Sequence, residues 1–326
     1  MSKISVALTT FNGEKYIEKQ LKSLLFQQRP IDEVIIVDDA SSDKTVVIVD
    51  EFIKKNNLLN WHLYVNNENI GFLKNFKNAI EKTTGDIIFL CDQDDIWFNT
   101  KINSMLNRFE SDERIKAIYS GFKFIDENDN IIFTRQKKLS ANNNLIKFRI
   151  EPFQTVKIDL STICNYNISP GCTLAFTREV KDIYLANTKC VCVHDWELAL
   201  IAAFLDGLYF FNTPLTNYRI HRENTIGMPE IIGKKQKNIL ALYDTRLKKA
   251  KKIYSYISAM DVYNYLLTED KLKILTDSIN FSQSRLNALS EKKISKIFQL
   301  YKYSNNYVNA VTLKGRLADM FCVLKK

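Results

Sequence analysis

Residues 85–97 read Gly85-Asp-Ile-Ile-Phe-Leu-Cys-Asp-Gln-Asp-Asp-Ile-Trp97, and this stretch decides the predicted fold. The uninterrupted apolar run from Ile87 to Cys91 predicts a parallel strand that is buried on both faces. Three carboxylates, Asp92, Asp94 and Asp95, follow within four positions. Strands of open α/β sheets end at a ligand crevice, and a divalent cation that holds a diphosphate would relieve the repulsion between these acids. A solvated acidic turn is the alternative that this motif leaves open.

Strands and helices alternate upstream of this motif, which predicts an α/β fold with a right-handed, mostly parallel sheet. Apolar patterns predict strands at 3–10, 33–37 and 61–65, and helices at 14–28, 44–56 and 71–81. The second strand ends at Asp38 and Asp39; Asp39 is a candidate nucleoside contact, whereas helix capping or a turn also explains Asp38. Neither a Gly-x-Gly-x-x-Gly motif nor a P-loop is present, which argues against a dehydrogenase and a P-loop nucleotidase.

The charge of the chain is distributed unevenly. Residues 231–326 contain 19 Lys and Arg against 7 Asp and Glu, whereas residues 1–230 contain 27 against 30. A length of 326 residues suffices for a large α/β domain with an appendage. We therefore expect a catalytic domain over residues 1–230 and a basic helical region over residues 231–326.

Several features predict a cytoplasmic location. Apolar runs all fall short of the ~18 residues that span a bilayer, and the first residues lack the pattern of a signal peptide. The six cysteines show no zinc-type spacing and are expected to be reduced and mostly buried.

Seven segments in matching order resemble the family 2 inverting glycosyltransferases, and in particular rhamnosyltransferase-like bacterial members. They are Ile4–Asn12, Val34–Asp43, Asn69–Gly71, Phe89–Trp97, Pro170–Phe176, His194–Trp196 and Tyr218–Gly227. The segment Phe98–Lys101 departs from the family pattern, because many members have a Pro-Asp pair at this position. The resemblance implies a GT-A fold, in which a nucleotide-binding α/β half merges with an acceptor-binding half. It also implies inverting sugar transfer from dTDP-rhamnose or a UDP-sugar to a saccharide or lipid-linked acceptor in surface polysaccharide biosynthesis.

The resemblance also assigns roles to individual residues. Thr10 and Asn12 would lie beside the nucleoside, and Asp39 would contact the base or ribose. Asp94 would hold Mg²⁺ or Mn²⁺, with Asp92 helping directly or through water. Asp195 would be the general base.

Other residues are assigned roles by their position and chemistry. His221 is a candidate further metal ligand, while Arg219 and Arg222 are competing phosphate contacts. The acceptor would meet four residues: Trp97, Gly171, His194 and Trp196. Core packing remains an alternative for both tryptophans, and His194 alternatively orients the base.

The basic C-terminal region has three interpretations. Its lysine clusters, which include Lys248, Lys249, Lys251 and Lys252, would dock on anionic lipid at the inner face of the cell membrane. A solvated helical bundle packed on the catalytic domain is the second interpretation. Nucleic-acid binding is disfavoured because no RNA or DNA motif accompanies the charge. For the whole chain, the alternative to an enzyme is a non-catalytic nucleotide-sugar or membrane-binding module that retains the GT-A fold.

Overall fold

The computed structural model describes residues 2–138, 140–186, 193–221, 268–303, 307, 311 and 313–324. The chain forms two compact units. The first comprises Met1–Ile158 and Ile168–Gly227, and the second comprises Asp159–Asn167 and Met228–Lys326.

A ten-stranded mixed sheet forms the centre of the first unit. Its strands are β1 (Ile4–Thr10), β2 (Glu33–Asp38), β3 (Trp61–Val65), β4 (Ile87–Asp92), β5 (Ile96–Trp97), β6 (Ala117–Ile125), β7 (Ile131–Ile132), β8 (Thr155–Lys157), β9 (Leu174–Thr177) and β10 (Leu208–Arg219). Their order is β3-β2-β1-β4-β9-β6-β10-β5, with β7 paired to β6 and β8 paired to β10. This architecture confirms the predicted α/β fold class.

The first four strands pair in parallel, as predicted. Strand β1 lies between β2 and β4, and every residue of β1 is buried. In the register of these pairs Thr10 lies opposite Asp38 and Thr9 lies opposite Asp92. The carboxyl ends of β1, β2 and β4 therefore meet at one edge of the sheet.

The second half of the sheet corrects the expectation of a mostly parallel arrangement. Strand β9 is antiparallel to both of its neighbours, β4 and β6, and β10 is antiparallel to β5 and β8. Only β6 and β10 continue the parallel pairing. The alternation of strands and helices along a sequence predicts parallel crossovers locally, but it does not specify how distant strands pair.

The helices in the part of the chain that the structure describes are α1 (Ile17–Leu25), α2 (Thr45–Lys55), α3 (Phe72–Lys82), α4 (Lys101–Ser111), α5 (Leu160–Asn165), α6 (Arg178–Ala186), α7 (His194–Phe204), α8 (Glu269–Glu291), α9 (Ile294–Gln299) and α10 (Leu313–Leu324). The first three confirm the predicted helices to within three residues at each end. Apolar residues of α1, α2 and α4 join the core beside β1, β2 and β4. This packing fixes the strand ends that carry the acids.

The described part of the second unit consists of helices, as expected for the C-terminal region. Apolar residues of α8, α9 and α10, including Phe281, Leu289 and Val323, form a separate core. Within it, Arg285 donates two hydrogen bonds of 3.0 Å to Asp319. Among the described residues, no helix is long and apolar enough to cross a membrane.

Candidate active site

Two of the three acids at the end of β4, Asp92 and Asp95, lie close together beside Cys172. Potential ligand atoms of Asp92, Asp95 and Cys172 all lie within 4.8 Å of one another. Burial raises the pKa of Asp92 well above its usual value, and the charges of Asp95, Asp94 and Asp195 raise it further. Burial, followed by the charge of Asp94, raises the pKa of Asp95 to about 7. Such a cluster stores repulsion that a bound cation would relieve.

Asp95 has a buried carboxylate whose two oxygens differ in their contacts. Its side chain is buried, and Oδ1 accepts a hydrogen bond of 3.0 Å from the backbone N–H of Arg219. Its other oxygen, Oδ2, is buried and has no nitrogen or oxygen partner among the described residues, and the Cys172 thiol lies next to this carboxyl group and interacts with it. Burying a carboxylate oxygen without a hydrogen bond costs free energy of folding unless another group approaches that oxygen. The donor set therefore fits a divalent cation that prefers oxygen ligands.

Asp94 lies beside His221, and the structure thus brings two predicted metal ligands together. The distance between His221 Nε2 and Asp94 Oδ2 is 2.8 Å. The imidazole ring also packs on Tyr16, with ring centroids 4.9 Å apart. These contacts hold the Asp94 carboxylate and the His221 imidazole side by side.

Arg219 organises the loop that carries Asp94 and Asp95. Its Nε donates a 2.7 Å hydrogen bond to the backbone oxygen of Asp94, and its guanidinium lies 2.6 Å from Asp129. The side chain is completely buried. Contact with a donor phosphate stays a prediction for Arg219, while Arg222 lies outside the described residues.

Lys101 is a residue of the site that the sequence reasoning missed. Its buried ammonium donates to the backbone oxygen of Cys172 at 2.5 Å and to Thr216 Oγ1 at 2.9 Å. Burial lowers its pKa to about 8. The sequence contains a signal that Lys101 is buried, because this residue shares the apolar face of α4 with Met105 and Phe109 at helical spacing.

Trp97 belongs to the core. It is 3% exposed and lies in the main apolar cluster, with the Lys101 ammonium 3.7 Å from its ring centroid. This environment favours the core-packing alternative over the predicted contact with an acceptor sugar. Trp196 is also buried, at 8% exposure.

The predicted nucleoside residues hold the loops at the ends of β1 and β2. Thr10 donates a 2.6 Å hydrogen bond to Asp38. Asn12 has a φ of 47° and accepts a 2.9 Å bond from the backbone N–H of Ser42. The contacts of Asp39 are also internal, since it accepts 2.9 Å bonds from Asn66, Ile70 and Gly71. Nucleoside contact by Thr10, Asn12 and Asp39 stays a prediction.

Gln93 is a second residue that the sequence reasoning left unassigned. Its side-chain amide accepts from the backbone N–H of Phe11 at 2.8 Å and donates to the backbone oxygen of Phe11 at 2.9 Å. This pair of bonds ties the loop after β1 to the acidic motif.

Asp195, the predicted base, lies in the first turn of α7. Its carboxylate accepts a 2.8 Å hydrogen bond from the backbone N–H of Trp196, and its backbone oxygen accepts a 3.1 Å bond from the hydroxyl of Tyr119. The positive end of the helix dipole favours the ionised carboxylate here. A methyl group at Gly171 would lie 3.1 Å from Asp195 Cβ, so the glycine allows the close approach.

His194 is held in an aromatic environment. Its ring stacks on Phe76 with centroids 3.9 Å apart, and Phe72 contacts it edge-on at 6.3 Å. Burial lowers the pKa of His194 to about 3, so the imidazole is neutral at physiological pH. Contact with an acceptor stays a prediction for His194, Trp196 and Gly171.

Residues 5–180 match the family model for glycosyl transferase family 2, and the chain belongs to that family. It is therefore a glycosyltransferase. Over 236 residues it is 28% identical to the dTDP-rhamnosyl transferase RfbG of Shigella flexneri, covering 68% of this chain and 73% of that protein. Over 97 residues it is 38% identical to the poly(ribitol-phosphate) beta-N-acetylglucosaminyltransferase TarS of Staphylococcus aureus, covering 29% of this chain and 17% of TarS.

Solved structures show the same fold. The S. aureus TarS 1–349 complex with UDP-GlcNAc aligns with a TM-score of 0.57 at 20% identity, covering 98% of this chain and 89% of that one. The mannosyltransferase PcManGT from Pyrobaculum calidifontis, in complex with GDP-Man and Mn²⁺, aligns with a TM-score of 0.54 at 16% identity, covering 99% and 87%. These neighbours confirm the predicted GT-A architecture.

Proposed function

We propose that this enzyme is a metal-dependent inverting glycosyltransferase. The observation that carries the proposal is the position of the turn at Gly171–Thr173. Gly171 packs against Asp195, while the next residue, Cys172, lies within 4.8 Å of Asp92 and Asp95. The proposed base and the acid cluster thus both lie next to one turn. Inverting transfer needs both groups around one donor sugar, because the acceptor attacks from the face opposite the leaving group.

Asp92, Asp94 and His221 would hold Mg²⁺ or Mn²⁺. The buried Oδ2 of Asp95, which has no nitrogen or oxygen partner among the described residues, and the raised pKa values of Asp92 and Asp95 support a cation at this place. When bound, the metal stabilises the negative charge that develops on the departing diphosphate. Lys101 and Arg219, which are buried beside the acids, would keep them in position.

Asp195 would accept the proton of the acceptor hydroxyl. As that oxygen attacks the anomeric carbon, its O–H bond breaks and a new glycosidic C–O bond forms. The bond from the anomeric carbon to the diphosphate breaks, and the nucleoside diphosphate leaves with the electron pair. General-base catalysis of this kind typically contributes ~10²–10⁴-fold to the rate.

We propose dTDP-rhamnose or a UDP-sugar as the donor. The similarity to RfbG and the UDP-GlcNAc complex of TarS support these two donor classes. A saccharide or lipid-linked acceptor in surface polysaccharide biosynthesis is proposed by the same reasoning. The enzyme would be peripheral at the inner face of the cell membrane, although Lys248, Lys249, Lys251 and Lys252 lie outside the described residues.

Thermal-shift measurements with a panel of nucleotide sugars, with and without Mn²⁺, test the proposal first. We expect stabilisation by one donor class that depends on the metal, followed by release of the nucleoside diphosphate when an acceptor is added. Metal-independent binding would contradict the proposed metal site. Donor binding without turnover across a broad set of saccharide and lipid-linked acceptors would instead support a non-catalytic binding module.

A further inference from the structure

Helix α10 (Leu313–Leu324) has two apolar faces, and only one of them is covered. The inward face packs on the core of the second unit through Cys322 and Val323. The outward face presents four large apolar residues with exposed fractions between 46% and 64%, namely Leu313, Leu317, Phe321 and Leu324. At about 100° per residue these four side chains fall within an arc of roughly 80°. They form one continuous stripe along the helix.

The neighbouring elements of the same unit expose further apolar residues. Helix α9 packs against α10 in the same unit and exposes Ile294 and Phe298, the latter with 58% of its surface. Tyr301, one turn further along, is 45% exposed. We call these three residues, together with the stripe on α10, the C-terminal apolar face. Soluble monomers rarely expose a continuous row of large apolar side chains, such as the stripe on α10, unless it binds something.

The part of the sequence that carries this face has a surplus of positive charge. Residues 292–326 contain eight Lys and Arg but one acid, Asp319. That acid is buried and already paired with Arg285. Glu291, just before this segment, pairs with Lys293 and Lys296. On α10, Lys314 and Arg316 lie on opposite sides of the apolar stripe by helical geometry.

We infer that the C-terminal apolar face docks on the surface of an anionic lipid bilayer, with the apolar side chains inserted at the level of the headgroups. A helix with exposed Leu and Phe bordered by Lys and Arg has the composition of interfacial helices. Anionic lipid complements the surplus of positive charge. A second copy of the chain would bring like charges together across a symmetric interface, which is unfavourable. The inference deepens the proposed peripheral attachment and rests on it.

Vesicle sedimentation with the full-length chain tests the inference. The parent should bind vesicles of phosphatidylglycerol and phosphatidylcholine but bind pure phosphatidylcholine weakly. The double variant Leu317→Ser, Phe321→Ser should lose at least about tenfold in binding to the anionic vesicles. A matched control is Leu59→Ser, Phe133→Ser, since these two residues are 84% and 90% exposed in the first unit. The control should bind like the parent, and equal binding by both double variants would overturn the inference.

A fluorescent variant, Phe321→Trp, reports directly on the face. Because the parent already has three tryptophans, its emission is subtracted, and the remaining emission should shift to the blue on addition of anionic vesicles and be quenched by brominated lipid. A remaining emission that is already blue without lipid and unchanged with it would mean that protein covers the face, which overturns the inference. Light scattering gives a second check. If the molar mass of the Leu317→Ser, Phe321→Ser variant is half that of the parent, the face joins two copies of the chain, and the inference is overturned.

Donor binding separates this inference from the proposed activity. The Leu317→Ser, Phe321→Ser variant should keep the metal-dependent thermal shift with nucleotide sugar. Loss of vesicle binding with the donor response intact supports the docking face. Failure of all donors to bind would count against the proposed activity and leave the vesicle result unchanged.

Discussion

His221 Nε2 lies 2.8 Å from Asp94 Oδ2, although 127 positions separate the two residues in the chain. The contact joins the acidic motif after β4 to the end of β10. An imidazole and a carboxylate at this distance suit shared binding of a transition-metal ion such as Mn²⁺. Because the two residues are in contact, a variant of either one tests the same proposed metal site.

Asp94→Asn should weaken metal-dependent donor binding by roughly 10- to 100-fold, because the amide is a poorer ligand than the carboxylate. His221→Gln should weaken it in the same direction and leave the folded state intact. Titration of Mn²⁺ followed by donor in a thermal-shift assay measures both effects. His62→Gln is the matched control, since His62 is exposed on β3. Wild-type activity of Asp94→Asn in chelating buffer would show that the metal assignment is wrong.

Asp195→Asn should lower kcat by about two to four orders of magnitude and change donor affinity little. The amide keeps the shape of the side chain but cannot accept the proton of the acceptor. Steady-state kinetics, together with direct donor titration, separates the two effects. Asp182→Asn, at an exposed position on α6, serves as the control. A parallel loss of donor affinity would identify Asp195 as part of the nucleotide site instead.

Gly171→Ala should lower kcat by about tenfold through displacement of Asp195. The added methyl group would lie 3.1 Å from Asp195 Cβ and 3.4 Å from His194 Nε2, so the start of α7 must move by a few tenths of an ångström. The test is kcat alongside the melting temperature. Gly121→Ala is equally tight, at 3.1 Å from the backbone of Thr213, and should affect stability but not kcat. Equal losses of kcat in the two variants would argue against a local effect on the base.

His194 should make the first unit sensitive to acid. Because burial depresses its pKa from 6.5 to about 3, the folded state binds fewer protons than the unfolded state between these values. The free energy of unfolding therefore falls as the pH drops through this window, by roughly 2 kcal/mol between pH 7 and pH 5. Urea unfolding of the parent and of His194→Gln at both pH values measures the difference, which should be smaller in the variant. Equal pH dependence in both proteins would mean that His194 is not buried in its neutral form.

The sequence by itself determined the parallel half of the fold. The apolar run before Asp92 and the alternating patterns upstream predict β1 to β4 and α1 to α3 nearly to their observed ends, because burial on both faces and helical periodicity are local properties. The cluster of turn-forming residues at Asp126–Asn130 is a local signal of the same kind, and this turn joins β6 to the antiparallel β7. The three acids at the end of β4 were also identified from the sequence alone.

Only the tertiary structure decided which residues surround those acids. The packing of α4 and the Gly171–Thr173 turn against the sheet brings Lys101 and Cys172 to the cluster. The pairing of β10 with β5 and β6 brings Arg219 and His221 to the loop after β4. Strand pairing and side-chain packing over a hundred residues depend on the three-dimensional complementarity of whole elements. No local pattern encodes that complementarity, so the lysine on the apolar face of α4 is an unusual feature of the sequence, but it can be assigned to this site only once the chain is folded.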